Sequence, residues 1–404
     1  MKKAFTYGIF FLICIVTIGF LISRTRIDKT ESVKRSDSNS ENEYTDKADD
    51  MIEENTLNND EEENPENIEK SISPWSAPDS YTYVLNDMFR FDADVIVSDK
   101  FTNGIFYKTK GYYQEYDTDA FYEMFFSDAE IKDEDTYNIM GRGGKMSQGI
   151  SYTSADGSVL YVEPIDLIYV RQTERNDYFY VFTNLRINYD MYNPYKYSLT
   201  EQLSFATREE AVQHLMDTLG KIGSHADSIT YKAYALDVST LCEEAKRFDD
   251  WATYQDDNAL KKDWTVEEEA YAISLWQENQ GLPVWTANIN SYGVIDESMA
   301  PVHAIYREDG FVWFDFTGFL DFETSEEYDV LLSFEDIINK ISDKYTDIIS
   351  SDKILVTEMM LCILTSSDGQ GGYNLYPAWV CTYEYEGGNS VGHMVFDAVT
   401  GYEI

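Results

Sequence analysis

Hydrophobic and polar residues follow three different patterns along this chain, and the first is a continuous apolar run. Residues 4–22 carry no charged side chain. Nineteen apolar residues are about the number that crosses a bilayer once as a helix. Leu21 and Ser23 make a poor cleavage site for a signal peptide. We therefore predict an uncleaved membrane anchor in residues 1–26. The following chain is expected outside the cytoplasm, because large domains translocate largely regardless of flanking charge.

Residues 74–200 follow the second pattern, in which hydrophobic and polar residues alternate at the period of a β-strand. Asp156-Gly157 predicts a hairpin, because this dipeptide favours a tight turn. A short helix is expected over 119–128. We therefore predict a β-rich domain, with strands over 89–99, 104–117, 151–163 and 177–188.

Residues 207–222 open the third pattern, which is an apolar stripe at helical period. Thr207 and Glu210 have the spacing of a capping box, and so do Thr265 and Glu268. The pattern predicts helices and strands in alternation. The helices are expected over 207–222, 239–254 and 265–278, and the strands over 228–238, 282–289, 301–308 and 310–318.

The C-terminal segment repeats the order of a helix and three strands. Ser333 caps a predicted helix over 333–348, and strands are expected over 353–364, 376–385 and 391–401. Two short motifs recur as well. Pro283-Val284-Trp285 resembles Pro377-Ala378-Trp379, and Phe314–Gly318 resembles Phe396–Gly401. We therefore predict a duplicated unit, with copies in 201–325 and 326–404 and a helical insertion at 239–278.

The final residues of the chain, 397–404, predict a turn followed by a strand. Asp397 can accept hydrogen bonds from the backbone of a following turn, and Gly401 can adopt the positive φ that most residues resist. Tyr402 and Ile404 alternate with Glu403, as in a half-buried strand. We expect the chain to end in a strand.

A helix followed by an antiparallel sheet that closes on Asp397–Gly401 resembles the PepSY-like modules of Gram-positive bacteria. An anchor, an acidic tether and tandem modules together resemble the YycH/YycI type of membrane-anchored extracytoplasmic regulator. The resemblance covers residues 333–404 and, less closely, 207–320, but not 74–200. It implies an α+β fold with a single transmembrane helix, a β-rich domain and two PepSY-like modules. It also implies no catalytic residues, and control of a partner such as an envelope-sensing histidine kinase or a secreted peptidase.

The composition predicts a tether and argues against some classes of partner. The 404 residues include 74 acidic and 31 basic side chains, for a formal net charge of −43. Residues 27–73 hold 16 of the acids and 5 of the bases, so we expect a disordered acidic tether there. The excess of acids argues against nucleic acid and anionic lipid surfaces as partners, because both require clustered Lys and Arg.

No motif for catalysis, cofactors or metals emerges from the sequence. The glycine-rich stretch 141–149 lacks the spacing of a phosphate-binding loop and has Met146 after Lys145, where a hydroxyl is needed. The acids of 128–135 lack the central Gly and terminal Glu of a calcium loop. The four histidines have no metal-ligand spacing; they are His214, His225, His303 and His393. We predict no catalytic, cofactor or metal residues, and the binding residues stay unknown at this stage.

Three cysteines lie beyond the anchor. Cys242 falls on the apolar stripe of its predicted helix, which indicates a buried thiol. Cys362 and Cys381 lie on two consecutive predicted strands, so a disulfide between them is one open alternative if those strands pair.

These observations favour a non-enzymatic binding or regulatory protein of the bacterial cell envelope. Its partner would be an envelope protein or peptide, and the membrane contact would be made by the N-terminal helix alone. Two alternatives stay open. One is a structural or adhesive envelope protein, and the other is a hydrolase with an unrecognised site in 74–200.

Overall fold

A computed structural model describes most of the chain after the predicted tether. The described residues are 75–140, 146–164, 166–171, 178, 197–251, 263–285, 300–347, 353–385 and 391–404. Among them, no helix is both long enough and apolar enough to cross a membrane. The predicted anchor (1–26) and tether (27–73) lie outside the described residues, as does the predicted strand 177–188 apart from Tyr178.

Strands dominate the described residues. The four α-helices there are α1 (Thr118–Phe126), α2 (Arg208–Lys221), α3 (Val238–Trp251) and α4 (Phe334–Tyr345). The first eight strands are β1 (Ser80–Val84), β2 (Phe89–Ile96), β3 (Ile105–Tyr113), β4 (Ile131–Met140), β5 (Met146–Ser154), β6 (Val159–Val162), β7 (Leu167–Val170) and β8 (Ile229–Leu236). The others are β9 (Ala270–Asn279), β10 (Leu282–Trp285), β11 (Val302–Arg307), β12 (Gly310–Phe316), β13 (Leu320–Val330), β14 (Ile354–Ser367), β15 (Tyr373–Tyr385) and β16 (Val391–Asp397).

All sixteen strands belong to one mixed sheet. Its main path runs β13-β3-β15-β14-β10-β9-β11-β12-β7-β6-β5-β4. Four strands branch from that path: β2 pairs with β14, β1 with β2, β16 with β15 and β8 with β9. Most pairs are antiparallel, while β14 pairs in parallel with both β2 and β10.

The expected α+β fold of separate helix-on-sheet PepSY-like modules is wrong, because the protein is mostly one large mixed β-sheet. Strands from all three predicted domains are hydrogen-bonded together around β14. Val284 of β10 lies opposite Ile363 of β14, and Phe89 of β2 lies opposite Ile354 of β14. Period-two patterns locate strands but do not specify which distant strands they join. The boundaries 74–200, 201–325 and 326–404 stay predictions.

Residues 265–278 form a strand and not the predicted helix. Glu268 accepts a hydrogen bond from the Thr265 backbone at 3.1 Å, but this box precedes only a 3₁₀ turn over Val266–Glu268. The chain then enters β9, which pairs with β8 on one side and β11 on the other. A central strand that is buried on both faces has a continuous run of apolar residues. Periodicity alone cannot distinguish such a run from a buried helix.

The two Pro-x-Trp motifs do not lie in equivalent strands. Trp285 ends the four-residue β10, whereas Trp379 lies within the thirteen-residue β15. Trp285 packs with Cys362 and Val380, whereas Trp379 packs in the core on the opposite face, with Leu361. These motifs therefore give no support for the predicted duplication of one unit in 201–325 and 326–404.

Two of the helix caps were predicted correctly from the sequence. The Thr207 hydroxyl accepts from Glu210 N at 3.1 Å, and Thr207 N donates to the Glu210 carboxylate at 2.8 Å. Ser333 accepts from Asp336 N at 3.1 Å and starts α4. Helix α4 packs on strands β2, β15 and β16, while α1 and α2 pack on a second core.

The C-terminal residues do not form the predicted strand, and they pair with β16 through an isolated bridge between Phe396 and Glu403. Asp397 Oδ1 accepts from the backbone of Val399 and Thr400 at 2.8 and 2.7 Å, which confirms the turn. Ile404 N donates to Val395 O at 2.9 Å. The side chains of Tyr402 and Ile404 are exposed, so the prediction that they are half-buried is wrong.

Candidate functional site

The β3–β13 ribbon forms an exposed surface with aromatic side chains. Tyr107 and Tyr328 lie opposite each other across the two strands, with ring centroids 5.9 Å apart. Both rings are about 40% exposed, at 40% and 42%, and Val330 is 53% exposed. Large exposed apolar groups that lie together are a common sign of a binding surface. We call Tyr107, Tyr328 and Val330 the ribbon patch.

Strand β13 has an open edge beside this patch. Among the strands that the structure describes, β13 pairs only with β3. The pairing shifts between Thr324 and Tyr328, so the three residues between them bulge from the ladder. An open edge offers backbone N–H and C=O groups that a further strand can pair with.

Acidic side chains determine which strand this edge would accept. The strand carries five acids, which are Asp321, Glu323, Glu326, Glu327 and Asp329. Lys108 on β3 forms an ion pair with Glu327 at 3.1 Å. The hydrogen bond and the charge of Glu327, with Asp329 in support, raise the pKa of Lys108. The potential along this edge therefore favours cations, and an acidic strand would be repelled.

Gln280 secures β3 from the other side. Its amide accepts from Tyr107 N at 2.7 Å and donates to Tyr107 O at 2.8 Å, as a neighbouring strand would. Gln280 lies in the turn between β9 and β10 with a φ of +51°. Gln280 thus joins the ribbon to the β9–β10 turn at the position of the exposed tyrosine.

Two of the predicted histidines lie in rows of polar side chains, and the row around His303 is buried while the row around His393 is partly buried. His303 Nδ1 is 3.2 Å from the Ser274 hydroxyl, and Asp315 lies opposite His303 on the next strand. This order of residue types resembles a hydrolytic triad. However, all three side chains are at most 3% exposed, so a substrate does not reach the hydroxyl in this conformation.

The second row has the same hydroxyl–histidine contact. His393 Nδ1 is 3.2 Å from the Thr382 hydroxyl, and Thr382 lies opposite Glu358 on β14. Burial lowers the pKa of His393 to about 3. Burial also raises the pKa of Glu358, while the charge of Lys232 acts in the opposite direction. Both rows lie within strands, and in each row a hydroxyl group contacts the ring of a histidine.

The remaining histidines make structural contacts. His214 stacks on Tyr306 with centroids 5.4 Å apart, and the His225 backbone donates to the Gln114 amide at 3.0 Å. Within the described part of the chain, no group of His, Cys, Asp and Glu residues is arranged to hold a metal ion. Of the glycine-rich stretch 141–149, only 146–149 are described, and they belong to β5.

Cys362 and Cys381 are free thiols on paired strands. Cys362 lies opposite Ala378 and Cys381 opposite Met359. Because Met359 and Cys362 are three positions apart on β14, the two thiols point to opposite faces of the sheet. The possible disulfide is therefore excluded, and burial raises the pKa of both thiols. Cys242 is only partly buried.

No family model and no curated protein matches this chain. A solved structure does. It is the 1.45 Å crystal structure of an uncharacterized protein from Eubacterium rectale ATCC 33656, with a TM-score of 0.57 and 18% identity over 81% of this chain and 93% of that chain. This similarity shows a shared fold and nothing about function.

A second solved structure is the Bacillus megaterium YpeB C-terminal domain. It has a TM-score of 0.27 and 11% identity, over 70% of this chain and 92% of that chain. A TM-score this low carries no argument about this chain. Neither solved structure is named as a YycH or YycI protein.

The sequence pointed to only part of the ribbon patch. It predicted a strand over 104–117, which contains Tyr107. The dense acids over 321–329 were a usable signal of an exposed edge. Nothing local to Tyr107 or Tyr328 distinguishes them from the buried aromatic residues of this chain, because their exposure follows from strand order.

Proposed function

We propose that this chain is a non-enzymatic binding and regulatory protein of the bacterial cell envelope, anchored through residues 1–26 and extended by the tether 27–73. In this proposal it captures a basic, extended segment of a protein partner along β13. The partner would be a sensor kinase or a peptidase, as for regulators of the YycH/YycI type.

One observation carries the proposal, which is the exposure of the ribbon patch directly beside an open strand edge. A peptide that adds to such an edge gains main-chain hydrogen bonds, and its alternate side chains gain contacts on the faces of the sheet. Tyr107, Tyr328 and Val330 supply apolar contact on one face. Glu323 and Glu326 supply charge for Lys or Arg.

A binding measurement with the full-length chain in mild detergent tests the proposal. The probe is a labelled peptide of alternating Lys and Val, and its counterpart with Glu in place of Lys serves as the reference. We expect the basic peptide to bind and the acidic one not to bind. Affinity should fall as salt rises, because exposed charges are screened beyond about 10 Å at 0.1 M ionic strength.

Matched variants locate the binding edge. E323K/E326K reverses two acids on β13, and D133K/E134K makes the same change of charge on the exposed acidic edge strand β4. We expect E323K/E326K to weaken binding about tenfold or more, since each exposed pair contributes on the order of 1 kcal/mol. D133K/E134K should bind nearly as wild type. Equal weakening by both variants would show non-specific attraction and contradict the proposal.

Two other functions have no specific observation in their favour. A structural or adhesive role rests on the tether alone. A hydrolase site in 74–200 would need an accessible perturbed group. Glu163 is a half-buried carboxylate there, and burial raises its pKa. Its side chain accepts from the Tyr137 hydroxyl at 2.5 Å, and its backbone oxygen accepts from Tyr116.

A further inference from the structure

Five strands of the described residues have a single strand neighbour. Four of these edges are unfavourable for pairing with another copy of this acidic chain, although β13 can still accept a basic segment. Strands β13 and β4 carry rows of acids. The backbone of Glu403 pairs with β16, and that of Ser198 with β8. The fifth is β1, which pairs only with β2. Its sequence is Ser-Tyr-Thr-Tyr-Val, without charge, proline or glycine.

The unprotected edge of β1 is also exposed. Tyr83 is 45% and Val84 67% exposed, whereas the Tyr81 ring packs on Phe91 and Phe334. Thr82 is exposed and donates to Asp92 at 3.2 Å. Natural edge strands are usually blunted by charge, bulges or covering segments. An uncharged, exposed edge in a chain with a net charge of −43 therefore indicates that another strand pairs there.

The sequence of β1 is nearly symmetric about Thr82. If two copies pair antiparallel with their Thr82 residues opposite each other, Tyr81 of each copy lies opposite Tyr83 of the other. Aromatic pairs and Thr–Thr pairs are favourable when they lie directly across antiparallel strands. A two-fold axis through Thr82 would make the contact self-complementary, as in most homodimers.

We propose that two copies of this chain dimerise by antiparallel pairing of their β1 strands about Thr82. The pairing would continue the β1-β2-β14-β15-β16 part of the sheet into the second copy. Five residues form a short contact, well below the standard interface of roughly 1,600 Å², so the dimer should be weak. Because both copies are strongly negative, screening should strengthen it. This inference does not depend on the function proposed for β13, whose basic peptide should bind more weakly as salt rises.

Sedimentation of the full-length chain in mild detergent tests the dimer. We expect the dimer fraction to increase when ionic strength rises from about 0.01 M to about 0.15 M, where the screening length falls from about 30 Å to about 8 Å. T82K places two cations opposite each other and should weaken dimerisation at least tenfold. T136K makes the same change at an exposed threonine of edge strand β4 and should leave the dimer intact. Circular dichroism checks that both variants remain folded.

A cross-linking variant keeps the test decisive if T82K fails to fold. Opposed residues of an antiparallel pair have Cα atoms about 4.5–5.5 Å apart, which is within disulfide range. Mild oxidation should therefore convert T82C to a covalent dimer well beyond the background of wild type and T136C. The proposal is overturned by a wild-type monomer at all salt concentrations, by a dimer that T82K leaves unchanged, or by equal cross-linking of T82C and T136C. A monomer that pairs β1 with a strand of another protein would also overturn it.

Discussion

Gly401 determines how the end of the chain reaches helix α4. It has a φ of +72°, and a Cβ atom there would lie 2.7 Å from Lys340 Cγ and 3.1 Å from Leu332 Cδ1. The turn directs Glu403 toward α4, where its carboxylate accepts from the Tyr345 hydroxyl at 3.1 Å and pairs with Lys344. Burial raises the pKa of Tyr345 to about 12, so the phenol stays protonated and can donate.

Replacing Gly401 by Ala should destabilise the protein by about 2 kcal/mol. About 1 kcal/mol comes from the left-handed backbone, and the remainder from the displaced Lys340 and Leu332 side chains. G369A is the matched control, because Gly369 has a φ of +71° and no atom within 4 Å of the added Cβ. It should cost only the backbone part. Chemical denaturation of both variants measures the difference, and equal losses would show that the contact with α4 is unimportant.

His393 should make stability depend on pH. Its pKa is about 3 in the folded protein and about 6.5 when unfolded. The unfolded state therefore binds a proton first, and stability present above pH 6.5 is lost as pH falls toward 3. The loss is at most about 1.4 kcal/mol per pH unit. Melting curves at pH 7 and pH 5 should show a smaller loss for H393Q than for wild type.

The exposed His225 is the control for this comparison. H225Q should keep the wild-type dependence on pH. If H393Q and wild type lose equal stability between pH 7 and pH 5, burial of the His393 ring is not the source of the effect.

Turns and strand partners matter more than local propensity at the scale of elements. Strand β9 shows this, because its segment has a capping box and apolar spacing that predicted a helix. Tyr271 and Ile273 face one core while Ala272 faces another. Its backbone is hydrogen-bonded to β8 and β11. Tertiary burial on both faces overrides the helical preference of the sequence.

The β9–β10 turn gives a prediction at this scale. Q280N keeps an amide and suits the positive φ better than Gln does, but its side chain is one methylene shorter and should not reach Tyr107. We expect a loss of about 1 kcal/mol, which is typical for hydrogen bonds of this kind. Q280G is the control for the turn, and it should lose about as much. Denaturant midpoints measure both, and an unchanged Q280N would show that the amide contact with β3 does not stabilise the ribbon.

Charge divides the edges of the whole molecule into two kinds. The acids of β13 and β4 repel other copies of this chain, whereas β1 has no charge to prevent pairing. We therefore expect opposite responses to salt, with binding of a basic segment weakened and self-association strengthened. The two proposals can fail independently, because they involve different strands.

The sequence alone determined the local elements of this protein. The capping boxes, the hairpin at Asp156-Gly157 and the turn at Asp397–Gly401 were predictable, because each depends on residues a few positions apart. Most strands were predictable for the same reason, since alternation is a local property. The excess of acids was also evident, and it argues against partners that need basic surfaces.

Only the tertiary structure decided how these elements combine. Strand β14 pairs with β2, β10 and β15, which come from segments far apart in the chain. The local sequence does not specify these partners, because backbone hydrogen bonds can form between any two strands. The exposure of Tyr107 and Tyr328, the separation of Cys362 from Cys381 and the open edge of β1 all follow from that strand order. A side chain's face is set by register, and register is set by distant partners.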